Sequence, residues 1–175
     1  NGYSATDERR EKVAFSIPYM ENQQVLVTKK SKQIRSVEDM KYKTLGAQAG
    51  SSGYLDFEAQ SDLLKNRVKD QKANQYQSFN EALIDLKNDR IDALLIDRVY
   101  ANYYLQSEGI LNNYNVFSAG FESESFAVGV RPADKRLLTA LNQAFIELYQ
   151  EGKFQEISQK WFGEDVATKE VKEGI

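Results

Sequence analysis

Three short stretches of the 175-residue chain carry residue types and spacings that could do chemistry. The first is Ser4-Ala5-Thr6-Asp7-Glu8-Arg9. Thr6 is a good helix N-cap, and Asp7 and Glu8 suit the positive end of a helix dipole. Thr6 and Arg9 stand three apart, so in a first helical turn they can face the same way. Ser4, Thr6 and Arg9 could then converge on an anion, the guanidinium fork matching a carboxylate and the cap leaving N–H groups open. The second stretch is Gly46-Ala47-Gln48-Ala49-Gly50-Ser51-Ser52-Gly53. Its glycines fit neither the dinucleotide fingerprint nor the phosphate-binding loop, which needs a lysine beside its last glycine. A glycine-serine turn that opens a helix still makes a nest of N–H donors for a small anion. The third is Asp97, directly after the apolar run Ile91–Ile96. An ionised carboxylate only accepts hydrogen bonds, so Asp97 could receive a ligand ammonium. Each corner also has a plain reading as a capped helix start. Two anion-ready corners and one cation-ready corner are together what an α-amino acid zwitterion requires.

Composition narrows the chemistry. The chain has no histidine and no cysteine. Histidine-dependent nucleophile pairs, imidazole metal ligands, thiolate zinc sites, iron–sulfur clusters and disulfides are therefore excluded, and we expect neither metal nor cofactor. Twenty-three basic against 26 acidic side chains give a net charge of −3. That balance gives no reason to expect nucleic acid, and Lys29-Lys30-Ser31-Lys32, the densest basic cluster, is short enough to be ordinary surface. No apolar run approaches the roughly 20 residues of a membrane span.

The elements that must position the corners alternate, strand with helix, which predicts an α/β fold. Gln24–Thr28, Thr44–Ala49, Tyr76-Gln77, Ile91–Ile96, Val116-Phe117 and Phe126–Val130 read as strands. The Ile91–Ile96 run suits a parallel strand covered on both faces. Helices are expected after Gly53, after Ser78 (whose Ser78–Glu81 spacing is a capping box) and after Asp97. Two more close the chain. Leu137, Leu138, Leu141, Phe145 and Leu148 stripe the first, and Phe154, Ile157, Trp161 and Phe162 the second. Helical spacing marks both stripes as core-facing.

These residues also carry a resemblance. Asn1 to Arg10 with Val13-Ala14-Phe15-Ser16-Ile17-Pro18-Tyr19, then Leu45–Gly53, Ser78–Asp97, Phe126–Gly129 and Gly152–Gly163, resemble the polar amino-acid family of bacterial solute-binding proteins, the extracytoplasmic receptors of ABC importers. The resemblance implies the type II periplasmic-binding-protein fold, two α/β lobes joined by two crossover strands. Lobe one would comprise residues 1–24 and 121–175, and lobe two residues 25–120. It implies that Ser4, Thr6 and Arg9 hold the ligand α-carboxylate with Ser51 and Ser52, that Asp97 accepts the α-ammonium, and that Gln48 touches the ligand side chain. It implies a binding module rather than an enzyme, with an amino acid and a membrane permease as partners and an extracytoplasmic location, through a lipid anchor where one is present. Family members carry a strand, a helix and further strands ahead of the match to Asn1. On that ground lobe one is expected to be incomplete, with a bare sheet edge that either pairs or swaps into a homodimer or leaves the first 20 residues poorly packed. A periplasmic dehydratase and a membrane-receptor sensor domain share the same fold and stand as the other readings.

Overall fold

The computed structural model describes residues 2–175 and divides them into two units, residues 2–22 with 123–175, and 23–122. The expected lobe two, 25–120, is two residues shorter at each end than the second unit, and Asn1 lies outside the described residues.

The chain starts in the first unit with α1 (Asp7–Arg10), β1 (Ala14–Phe15) and β2 (Met20–Asn22). In the second unit it runs through β3 (Gln24–Lys29), β4 (Leu45–Gln48), α2 (Ser52–Ala59), β5 (Ala73–Tyr76), α3 (Phe79–Lys87), β6 (Ala93–Asp97), α4 (Arg98–Ser107) and β7 (Tyr114–Ser118). It then returns to the first unit for β8 (Glu124–Phe126), β9 (Gly129–Val130), α5 (Lys135–Gln150), α6 (Lys153–Phe162) and α7 (Lys169–Glu173).

The second unit is a five-stranded mixed sheet in the order β5-β4-β6-β3-β7. β4 runs parallel to β5 and β6, while β3 runs antiparallel to β6 and β7. The expected parallel strand is thus parallel on one side only. Side chains alternate between faces with a period of two. Val25, Val27, Leu94 and Ile96 enter one buried cluster with Leu83, Leu86, Ala101 and Leu105, under α3 and α4. Leu26, Ala93, Leu95, Leu45 and Ala47 enter the other with Phe57 of α2. Both faces are covered, which is why β3 and β6 are nearly all apolar.

Two half-buried polar contacts fix where β6 begins. Asp92 Oδ2 accepts from the Thr44 N–H at 2.9 Å and from its hydroxyl at 2.8 Å. Burial pushes the Asp92 carboxyl up, but the two Thr44 donors and nearby Lys32 outweigh it and hold it below the ordinary carboxylate value. These contacts set the register of β4 against β6, and so the height at which both strands end.

In the first unit β2 pairs with β8 and β1 with β9. The single strand expected over Phe126–Val130 is therefore two short ones. The break has a cause in the hydrogen bonding: the Ala127 N–H donates to Tyr3 O at 3.1 Å, and Val128 donates to Ser16 Oγ at 3.0 Å. The backbone serves different partners along five residues. A second correction concerns the C-terminal stripes. Phe145 stacks on Tyr19 at 4.9 Å between ring centroids, but Leu137, Leu148, Ile157 and Trp161 are exposed, Trp161 by 49%. α5 buries no residue, and a third helix, α7, follows with Val171 as its buried contact. Periodicity specifies which face of a helix is apolar; it does not supply a layer to cover that face.

Candidate functional site

In the second unit the site builds up from strand ends. β4 and β6 both point their carboxyl ends the same way, and antiparallel β3 brings its first residue to that end. Gln24 sits directly opposite Asp97 in the ladder. By the period of two, Gln24 and Asp97 share the sheet face that carries Leu26 and Leu95, the face covered by α2. Ligands of open α/β sheets collect at this end.

Asp97 occupies the N-cap position of α4, yet its side chain makes no capping bond there. Its Oδ1 instead accepts from Gln24 Nε2 at 2.8 Å. The same Nε2 lies 3.3 Å from Ser52 Oγ. Ser52 is the first residue of α2 and is buried. The Gln24 carboxamide is 2% exposed and joins the two candidate residues. Because a carboxylate only accepts, it is the nitrogen side of the amide that must face Asp97.

Ser51 caps α2. Its Oγ accepts the Tyr54 N–H at 3.1 Å and donates to Gln48 O at 2.8 Å. Gln48, the last residue of β4, donates from Nε2 to Gln77 O at 3.1 Å. Two glycines of the turn have different reasons to be glycine. Gly50 has φ +67°, a left-handed backbone that other residues resist. Gly53 is ordinary helix, but a Cβ there would stand 2.8 Å from Gln24 Cδ and nearer still to Oε1. The carboxamide fills the space a side chain at 53 would need.

In the first unit the segment bearing Ser4 lies along β8. Ser4 bridges to Phe126, and the Ala5 N–H donates to Ser125 O at 3.0 Å. Thr6 caps α1, its Oγ1 accepting the Arg9 N–H at 3.4 Å. Arg9 curls back, Nη1 donating to Ser4 O at 3.0 Å, with its guanidinium 4.5 Å over the Tyr3 ring. The aromatic face and the carbonyl fix the guanidinium plane. Ser4, Thr6 and Arg9 are therefore brought together by the first turn, as their spacing suggests.

Gln24 is the residue that sequence reasoning misses. The available signal is a buried-strand pattern, Gln24-Val25-Leu26-Val27, that opens on a carboxamide. Another buried hydroxyl network belongs to the fold rather than the site. The Tyr76 hydroxyl donates to Asp85 at 2.8 Å, and burial together with that carboxylate pushes its pKa up to about 12, so it stays a neutral donor. Among the described residues, no cluster of acidic side chains could hold a metal ion, and no helix is long and apolar enough to cross a membrane.

A mixed α/β sheet with an acidic acceptor, a hydroxyl and a helix start gathered at its strand ends is the arrangement in which open α/β sheets hold small polar ligands. Comparison with known proteins makes this specific. Residues 1–164 match the model of the bacterial extracellular solute-binding proteins, family 3, and the chain belongs to that family. It is 30% identical over 164 residues to ABC transporter arginine-binding protein 1 of Escherichia coli, covering 93% of this chain and 64% of that protein. The chain thus spans less than two thirds of that relative's length. Among solved structures it is 72% identical, with a TM-score of 0.92, to an ABC uptake transporter substrate-binding protein from Streptococcus pneumoniae with bound histidine, covering 97% of this chain and 69% of that one. A polar amino acid ABC uptake transporter substrate-binding protein from Streptococcus thermophilus is 61% identical, with a TM-score of 0.70, covering 99% of this chain and 66% of that one.

Proposed function

We propose that this chain is part of the extracytoplasmic substrate-binding component of an ABC importer, capturing a polar L-amino acid between two lobes and delivering it to a membrane permease. The observation that carries the reading is Asp97. It stands at a helix N-cap, forgoes the capping bond, and is held instead beside Ser52 by a buried carboxamide. A carboxylate fixed as an acceptor next to a hydroxyl and a helix start suits the α-ammonium and α-carboxylate of one amino acid. In this reading Asp97 takes the ammonium, while Ser52, Ser51 and the N–H groups of α2 take the carboxylate. Ser4, Thr6 and Arg9 grip the same carboxylate from the first lobe, and Gln48 meets the side chain. L-Histidine is the first ligand to test, because it is bound in the 72% identical streptococcal protein.

The role is binding, not catalysis: the candidate acid is already committed to a donor, and the family is one of solute-binding proteins. Charge-assisted hydrogen bonds contribute about 1.5–3 kcal/mol each. Asp97 and Arg9 together could then supply much of the roughly 8 kcal/mol of a micromolar complex. Lobe closure follows ligand because only the closed state completes its contacts.

Isothermal titration of the chain against L-histidine, L-arginine, L-glutamine and L-cystine tests the reading. Saturable binding of at least one is expected, and Asp97→Asn or Arg9→Ala should weaken it by about tenfold or more. Unchanged affinity in both variants would refute the site, and no binding by any of the four would refute the ligand class.

A further inference from the structure

We infer that Gln24 is a positioning residue for the proposed site, holding Asp97 and Ser52 in the geometry a ligand meets; the inference rests on the function proposed above. Gln24 faces its own sheet, not a ligand, and acts through its two partners. A primary amide has two N–H donors. Here the same nitrogen lies 2.8 Å from Asp97 Oδ1 and 3.3 Å from Ser52 Oγ, on elements 45 positions apart in the chain. Asp97 ends a central strand and Ser52 starts a helix, so no local rule relates them. The carboxamide does.

The fold alone does not explain this residue. β3 continues as Val25, Leu26 and Val27, all buried, and an apolar side chain at 24 would extend that pattern. Burying an amide costs free energy unless its bonds are made. Asp97, for its part, has an alternative in the first-turn N–H groups of α4, which an aspartate at N-cap ordinarily takes. The donors of Gln24 turn it away from that use. The opposite side of the carboxamide is walled by Gly53, where any Cβ would intrude. Glutamine at 24 and glycine at 53 are thus two parts of one device. It keeps the acceptor of the ammonium and the hydroxyl for the carboxylate fixed before ligand arrives, so binding does not have to order them.

The test compares wild type, Gln24→Met, which keeps length without donors, and Gln24→Glu, which places a carboxyl against Asp97. The Asp97 carboxyl titration is followed by carbon-13 NMR on ligand-free chain, and L-histidine affinity by calorimetry. A hydrogen bond to an ionised carboxylate favours the charged form, and a second carboxylate disfavours it. The Asp97 midpoint is therefore expected to rise from wild type to Gln24→Met and again to Gln24→Glu, with L-histidine affinity falling about tenfold or more in Gln24→Met. An Asp97 midpoint equal in wild type and a folded Gln24→Met overturns the inference. So does a shifted midpoint with unchanged L-histidine affinity. If the midpoints follow the expected order while wild type binds no amino acid, the positioning of Asp97 stands and the proposed function falls.

Discussion

Replacing Gly53 by alanine adds one methyl group where, among the glycines of the second unit, a Cβ has the least room. The new carbon would lie 2.8 Å from Gln24 Cδ, nearer still to Oε1, and 3.4 Å from Leu95 Cγ. Ordinary carbon contacts begin near 3.5 Å, so the carboxamide has to yield. Its yielding breaks the bonds to Asp97 and Ser52, since one nitrogen makes both. Overpacking of this kind costs about 1–3 kcal/mol. Against it stands the better helix propensity of alanine, worth up to about 1 kcal/mol at a position whose backbone is already helical. The net loss of stability is then about 1 kcal/mol, a melting shift of some 4–8 °C for a unit of this size. The effect on ligand is larger. Losing the bond that orients Asp97 forfeits about 1.5–3 kcal/mol, or about tenfold to a hundredfold in L-histidine affinity. A double-mutant cycle with Gln24→Ala separates this from general damage. Once the carboxamide is gone the methyl has room, so Gly53→Ala should then cost almost nothing in affinity. An equal cost of Gly53→Ala in both backgrounds would refute the coupling of Gly53 to the site.

Two further expectations concern the frame around the site. The Asp92 carboxyl is held below its unfolded value of 3.8, so its stabilising contribution is complete above that pH and is lost as the pH falls through the lower folded value. Asp92→Ala should cost about 2 kcal/mol in urea unfolding at neutral pH, with the gap to wild type narrowing as the pH falls below 3.8; a gap independent of pH would show that the charge is not what Thr44 binds. In the first unit, buried Ser158 donates to Glu164 O at 2.7 Å and accepts the Val166 N–H at 2.9 Å. Ser158→Ala leaves both backbone groups without that partner and should cost about 2 kcal/mol, read by the same denaturant series, while Ser158→Thr should recover part of it.

Much of the second unit is legible in the sequence because its signals are local. Val25–Val27 and Ala93–Ile96 are apolar runs of strand length, Gly50 and Ser51 mark a turn and a cap, and Ser78 with Glu81 announces α3. What is not legible is nonlocal. Nothing in the neighbourhood of Gln24 says that it stands opposite Asp97; that depends on the β3–β6 register, set by pairing along both whole strands. The break between β8 and β9 escapes notice for a similar reason, since it arises from acceptors at Tyr3 and Ser16, more than a hundred residues earlier. The stripes of α5 and α6 are correctly apolar and helical, yet Ile157 and Trp161 remain exposed. A stripe records a demand for burial, and only packing shows whether it is met.

The same distinction decides how the three corners should be weighed. Thr6, Ser51, Ser78 and Thr168 all stand at N-caps, and each accepts an N–H from its own helix. For these residues the spacing correctly marks the cap, whatever else the side chain meets. Asp97 and Asp134 also stand at N-caps, and neither caps. Asp134 turns to Arg131, its neighbour three residues back, and forms an exposed ion pair. Asp97 turns inward to a residue 73 positions away. A short acidic side chain at a helix start always has the local bond within reach, so a structure that withholds it supplies something better. For Asp134 that is an opposite charge in solvent. For Asp97 it is a buried amide, which fixes the carboxylate beside Ser52 rather than on its own helix. That placement at a strand end, rather than helix capping, is what the proposed ammonium acceptor requires.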